Sequence, residues 1–236
     1  MALSSSRSLA RYLALRDYLT DHVGGGPRVS FAGVINLQKG ATLPVVLAMM
    51  ALHGTWSATA WTYLALHGGY GLIWLLKEAV FPDPARRRRI TLGGAVNAWL
   101  CVLGPYWIAP WLITAHDLQQ PPAVLAAAVV ICLVGTALMV GADAQKFFVL
   151  RIRAGLIVDG FFARTRNPNY LGEMLIYASF ALVAGHWLPW LVLAWVWLGV
   201  FLPNMLAKDA RMARHPGWDA YRQRSGRLLP RIRGPR

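Results

Sequence analysis

The stretch PAVLAAAVVICLVGTALMVGADAQKFFVL, Pro122 to Leu150, decides the class of fold. No charged side chain occurs between Pro122 and Ala142. A helix needs roughly 20 such residues to cross a bilayer core, so the run reads as a membrane span. Charge returns only at Asp143 and Lys146, near its end.

Five further apolar segments flank it. ITLGGAVNAWLCVLGPYWIAPWLIT covers Ile90 to Thr114, and another segment runs from about Thr55 to Phe81. After the quoted stretch come Asn169 to Trp187 and Leu188 to Leu206, which the short link Gly185 to Pro189 forces into an antiparallel hairpin. The first segment starts at Phe31 or Ala41 and ends at His53, with Gln38, Lys39 and Gly40 read as an interruption. The expectation is an all-α integral membrane protein with about six transmembrane helices.

Composition agrees. Only 14% of the 236 residues are charged and 56% are hydrophobic, with eleven Trp. A soluble domain carries roughly a quarter charged residues. The net charge of +14 would suggest a nucleic-acid partner in a soluble protein. Here the basic residues form short blocks between apolar segments, which is a topology signal instead. All 24 Lys and Arg fall before the first span, between spans two and three, between four and five, or after the sixth. The opposite loops, His53 to Trp56, Ala115 to Pro121 and Gly185 to Leu188, hold none. By the positive-inside rule both termini are expected in the cytoplasm.

Residues 1–40 read as a cytoplasmic amphipathic leader resting on anionic lipid, its helix ended by the glycines from Gly24. The opening residues lack the apolar core and cleavage site of a signal peptide. Cys101 and Cys132 lie in apolar segments without metal-ligand spacing, so neither a disulfide nor a metal is expected. No internal repeat is visible, which counts against a transporter. The expected partners are a lipophilic small molecule and membrane lipid, with no nucleic acid and no obligatory protein partner.

Ionisable groups at membrane depth are costly, so they mark sites. His67, Tyr70, Lys77 and Glu78 form a polar stripe on the second span. Asn169, Tyr170, Glu173 and Tyr177 form one on the fifth. The two stripes are expected to line one pocket. The plainer readings are an ion pair of Glu173 with Arg166, interfacial anchoring of Tyr70 and Tyr177, a packed His67, and a snorkelling Lys77.

The most informative loop is GLIVDGFFARTRNPNYLGE, Gly155 to Glu173. Asn167 suits an N-cap and Pro168 a first helical turn. Free amides at that helix start, beside Arg164 and Arg166, make an anion site. This segment resembles the signature of a superfamily of membrane-embedded lipid enzymes: the steroid 5-alpha-reductases, the sterol C14- and C7-reductases and the isoprenylcysteine carboxyl methyltransferases. Arg166, Asn167, Pro168, Tyr170, Gly172 and Glu173 follow its pattern, with Asn167 standing where the family usually has His. ADAQKFFVLR, Ala142 to Arg151, resembles the reductase branch. KDARMARHPGWDAYRQRSGRLLPRI, Lys208 to Ile232, resembles the shared C-terminal tail through Asp209, Arg214, Trp218, Tyr221 and Pro230.

The resemblance implies a division of labour, with residues 41–141 on the substrate side and residues 142–236 holding the cofactor. On the reductase reading, NADPH is the cofactor and a lipid enone such as a steroid or isoprenoid is the substrate. Lys146, Arg151, Arg164, Arg166, Arg211 and Arg214 are then its phosphate clamps. Asn167, Asn169, Tyr170, Asp209 and Tyr221 are further cofactor contacts. Glu173, with Tyr70 and His67 or Glu78, supplies the acid that meets the substrate carbonyl. The alternative is an S-adenosylmethionine-dependent methyltransferase, which needs fewer cationic contacts.

Overall fold

The computed structural model describes residues 2–232, with side chains from residue 8 onward. Of the basic residues that define the expected topology, Arg233, Arg236 and the Arg7 side chain lie outside the described residues. The described fold is all-α apart from one two-residue β pair. Four helical stretches are long and apolar enough to cross a membrane: Phe31–His53, Leu92–Ala115, Pro122–Ile152 and Trp187–Met212. The other two expected spans are also helical, over residues 58–80 and over Pro168–Ala184. The chain divides into two compact units, residues 1–78 with 82–117 and residues 79–81 with 118–236. The helix opening at Pro122 runs unbroken through Asp143 to Ile152, within the second unit.

In the first unit, α1 (Ala2–Asp21) docks beside α5 (Leu92–Ala98). The Thr91 hydroxyl caps α5 by accepting from the Gly94 amide, and it donates to the Val23 carbonyl at 2.5 Å. Gly93 and Gly94 let the two backbones meet, since a Cβ on either would strike the Val23 or Thr20 carbonyl. Strands β1 (Val29–Ser30) and β2 (Arg89–Ile90) pair antiparallel at this end.

Helix α2 (Phe31–His53) starts at Ser30, whose hydroxyl accepts from the Gly33 amide, and stops at Gly54 with φ +66. It is one continuous helix, so Gln38, Lys39 and Gly40 do not interrupt it. Both Gln38 and Lys39 are buried within the unit, which removes their polar groups from lipid. Helices α3 (Ala58–Tyr63) and α4 (Gly69–Val80) are joined by a wide π turn, Leu64–Gly68. Gly71 lies directly on the Lys39 carbonyl and Gly68 against Leu43, so small residues set the close approach of α2. A second π turn, Trp99–Leu103, and a 3-10 turn, Gly104–Trp107, lead into α6 (Ile108–Ala115). Pro105 has no amide to donate, and the change of helical pitch accommodates the missing bond.

In the second unit, α7 (Pro122–Ile152) packs on α8 (Pro168–Ala184) through two glycines. A Cβ on Gly172 would lie 2.5 Å from the Gly135 carbonyl oxygen and from the Met139 amide. Gly185, with φ +59, turns the chain into α9 (Trp187–Val196). A third π turn, Trp197–Phe201, continues into α10 (Leu202–Met212), and α11 (Trp218–Arg224) closes the tail.

Candidate functional site

The loop before α8 is held by the C-terminal tail. The Arg166 amide donates to the Gly226 carbonyl, and the Gly226 and Arg231 amides donate to the Arg164 carbonyl. The Thr165 hydroxyl donates to the Leu228 carbonyl, and the Asn167 side chain donates to the Arg227 carbonyl at 2.8 Å. Lys208 on α10 donates to the Arg166 carbonyl and to the Asn167 side-chain oxygen. At the centre, Arg166 makes two parallel bonds of 3.1 Å to the Asp209 carboxylate and a third of 2.7 Å to the Ser225 carbonyl. Arg227 shares that carboxylate at 3.0 Å.

This network gives partners within the protein to several residues expected from sequence to hold a cofactor. Arg166 is 6% exposed and its guanidinium pairs with Asp209, where sequence reasoning had offered Glu173 as the partner. Asn167, Asp209 and Tyr221 are likewise committed to the clamp. Asn167 does not cap α8 through its side chain. Gln145 fixes the preceding turn, accepting from the Phe161 amide and donating to the Asp159 carbonyl.

Tyr221 donates to the Phe162 carbonyl at 2.9 Å. Burial, against the opposing influence of Arg166 and Arg224, pushes its phenol up to about 12. The unfolded chain would ionise near pH ~10. Between those values the folded chain holds the extra proton, so stability falls as pH rises from ~10 toward ~12. Tyr221→Phe is expected to cost about 0.5–1.5 kcal/mol at neutral pH and to flatten that alkaline decline. Thermal melts across the two pH ranges check both.

The second unit holds further polar residues. Arg151, Arg164, Arg211 and Arg214 are exposed, Arg151 resting on the Phe147 ring. Asp143, Lys146, Asp209 and Arg211 form the electrostatic surroundings of Lys208. On α8, Asn169, Tyr170 and Glu173 are half-buried, with Tyr170 edge-on to Phe201. The Asn169 side-chain oxygen is buried and accepts no hydrogen bond within the protein. A buried carbonyl oxygen in that state fits a donor from a ligand.

The first unit gathers its own polar groups. Tyr63, His67, Tyr70, Trp74 and Lys77 follow one face of the 58–80 segment, and all are buried. The Tyr63 hydroxyl meets the His67 Nδ1 at 2.9 Å. The Lys39 ammonium, 3% exposed, lies 4.5 Å over the Tyr70 ring and 5.2 Å from that of Trp74. Lys77 faces Trp74 at 4.7 Å, so it is buried on an aromatic ring and does not snorkel. Glu78 pairs with Arg86 at 3.8 Å. Sequence reasoning assigned Lys39 to topology and passed over Tyr63 and Trp74. The spacing from Tyr63 to Lys77, alternating four and three, was the available signal for the last two.

Residues 97–224, more than half of the chain, match the family model described as "Protein of unknown function (DUF1295)". Two curated relatives are uncharacterized proteins of Schizosaccharomyces pombe. One is 50% identical over 58 residues, covering 25% of this chain and 19% of the relative. The other is 33% identical over 95 residues, covering 38% and 28%. The chain thus spans less than a third of either relative's length.

Proposed function

The chain belongs to the DUF1295 family, and from that premise we propose that it is an NADPH-dependent membrane reductase of a carbon–carbon double bond in a steroid-like or isoprenoid enone. The family corresponds to steroid 5-alpha-reductase-like membrane proteins, and the reading extends that character to cofactor and substrate. The observation that carries it is the buried Asn169 oxygen, which accepts no hydrogen bond, in a unit that also holds four exposed guanidiniums. Arg151, Arg164, Arg211 and Arg214 supply forked donors of the kind that hold phosphates. The Asn169 oxygen suits the amide N–H or hydroxyl of a nucleotide. NADPH would supply the hydride. Glu173, one turn deeper on α8, is the proposed group handling the proton. The Arg166–Asp209 clamp keeps the loop and the helix start in place without touching the ligand. The first unit is assigned to the lipid substrate and the second to the cofactor. Segregation of the basic loops supports six spans with both termini cytoplasmic.

A methyltransferase remains the second reading for one reason. With the Arg166 guanidinium spent on Asp209, one cationic contact fewer remains, and S-adenosylmethionine needs fewer. Thermal shifts of the detergent-purified protein separate the two. NADPH is expected to raise the melting temperature and S-adenosylmethionine to leave it unchanged. Arg151→Ala is expected to weaken NADPH binding about 10- to 150-fold, the loss of one charge-assisted hydrogen bond, while Arg87→Ala leaves it intact. Stabilisation by the methyl donor alone would reverse the assignment.

A further inference from the structure

Gln38 is 0% exposed, and neither atom of its side-chain amide makes a hydrogen bond within the protein. It lies inside the span Phe31–His53, where bulk water does not reach it. A primary amide has one acceptor and two donors to satisfy. Leaving all of them unmet is among the costlier states a buried neutral side chain can adopt.

The helical register places this amide. Val34, Gln38 and Thr42 repeat every four residues, so they share one face of α2. Val34 packs in a cluster with Ile90, Ala95 and Leu103, bordered by Trp99 and Val102. The Thr42 hydroxyl donates to the Gln38 backbone carbonyl and accepts from the Trp107 indole N–H at 3.1 Å. Gln38 therefore lies between these two contacts, on the face that meets residues 99–107. That partner segment is itself irregular, a π turn followed by a 3-10 turn. Single π turns inserted in helices recur at functional sites.

The chemistry of the surroundings sets the class of ligand. Val34, Thr42, Leu103 and Trp107 carry no charge. The neighbouring ammonium of Lys39 lies over the Tyr70 and Trp74 rings, on the adjacent face of α2. The residues that flank Gln38 on this face offer an anion no cation; the Arg88 guanidinium lies over the Phe31 ring, two turns earlier. A hydroxyl can donate to the amide oxygen and accept from the amide nitrogen at once, and a ketone can accept from the nitrogen. We propose that Gln38 anchors the hydroxyl or carbonyl end of a neutral lipophilic molecule in the first unit. The inference does not rest on the reductase reading, because binding is measured without nucleotide.

The test compares wild type with Gln38→Leu, a near-isosteric apolar replacement, in delipidated protein held in mild detergent. Removing an unmet amide is expected to raise the ligand-free melting temperature by about 2–4 °C. A sterol alcohol, a steroid enone and geranylgeraniol are then added, each beside its oxygen-free hydrocarbon analogue. At least one oxygenated probe is expected to stabilise the wild type more than its hydrocarbon does, and the variant is expected to respond equally to both. A lower melting temperature for Gln38→Leu would show the amide already satisfied and overturn the proposal. Equal discrimination by variant and wild type would overturn it too. So would a stabilised variant beside a wild type that distinguishes no probe pair, which would leave the amide to an internal water. The NADPH shift, read separately on both proteins, keeps this result apart from the cofactor assignment.

Discussion

Asp209→Ala is expected to lower stability by about 3–5 kcal/mol, the largest effect of any single substitution in the second unit. The carboxylate accepts both parallel bonds from Arg166, which is 6% exposed, and one from Arg227. Removing it leaves the Arg166 guanidinium buried against the Ser225 carbonyl and hydroxyl and the Trp218 ring, with no carboxylate to balance it. The cost is that of an uncompensated buried charge, more than the net value of the pair. Two comparisons isolate this cause. Arg227→Ala removes the 43% exposed partner and is expected to cost less than about 1 kcal/mol. Combining Asp209→Ala with Arg166→Met removes the stranded charge and is expected to recover much of the loss. Melting curves of the four proteins in one detergent decide it. An Asp209→Ala protein that melts with the wild type would end the view of this pair as the tail's anchor.

Gly172→Ala is expected to destabilise by about 1–3 kcal/mol through overpacking. The added methyl would sit 2.5 Å from two backbone atoms of α7, the Gly135 carbonyl oxygen and the Met139 amide nitrogen. Backbone cannot rotate aside as a side chain can, so the two helices must separate along their contact. Gly69→Ala is the control, since a Cβ there meets nothing within 4 Å. In a helix that change is expected to gain roughly 0.5–1 kcal/mol. Opposite signs at two helical glycines would show that close approach, and not helix propensity, governs Gly172. A melting temperature for Gly172→Ala equal to that of Gly69→Ala would refute the close-packed crossing.

The clamp and the crossing differ in how far they could be read beforehand. Gly172 was visible as part of a motif, but its partner Gly135 lies in an unbroken apolar run with nothing to single it out. Arg166 and Asp209 were both visible as polar residues in the right half of the chain. Their pairing was not, because 43 positions separate them and either charge could equally have served a ligand. Lys39 was read as a loop charge because Gln38, Lys39 and Gly40 break an apolar stretch on paper. Burial against Tyr70, Trp74 and the close glycines of the neighbouring segment makes the same three residues compatible with one helix.

By itself the sequence determined the all-α class, the approximate limits of the apolar helices and the places between them where basic residues cluster. Those properties follow from local composition, since the length of an uncharged run and the sign of its flanks need no knowledge of any distant residue. Only the tertiary structure decided which polar side chains spend their hydrogen bonds inside the protein and which, like Gln38 and Asn169, keep atoms in reserve. The reason is that satisfaction of a buried polar group depends on atoms brought within about 3 Å by folding, and in this chain those atoms come from segments far apart in the sequence.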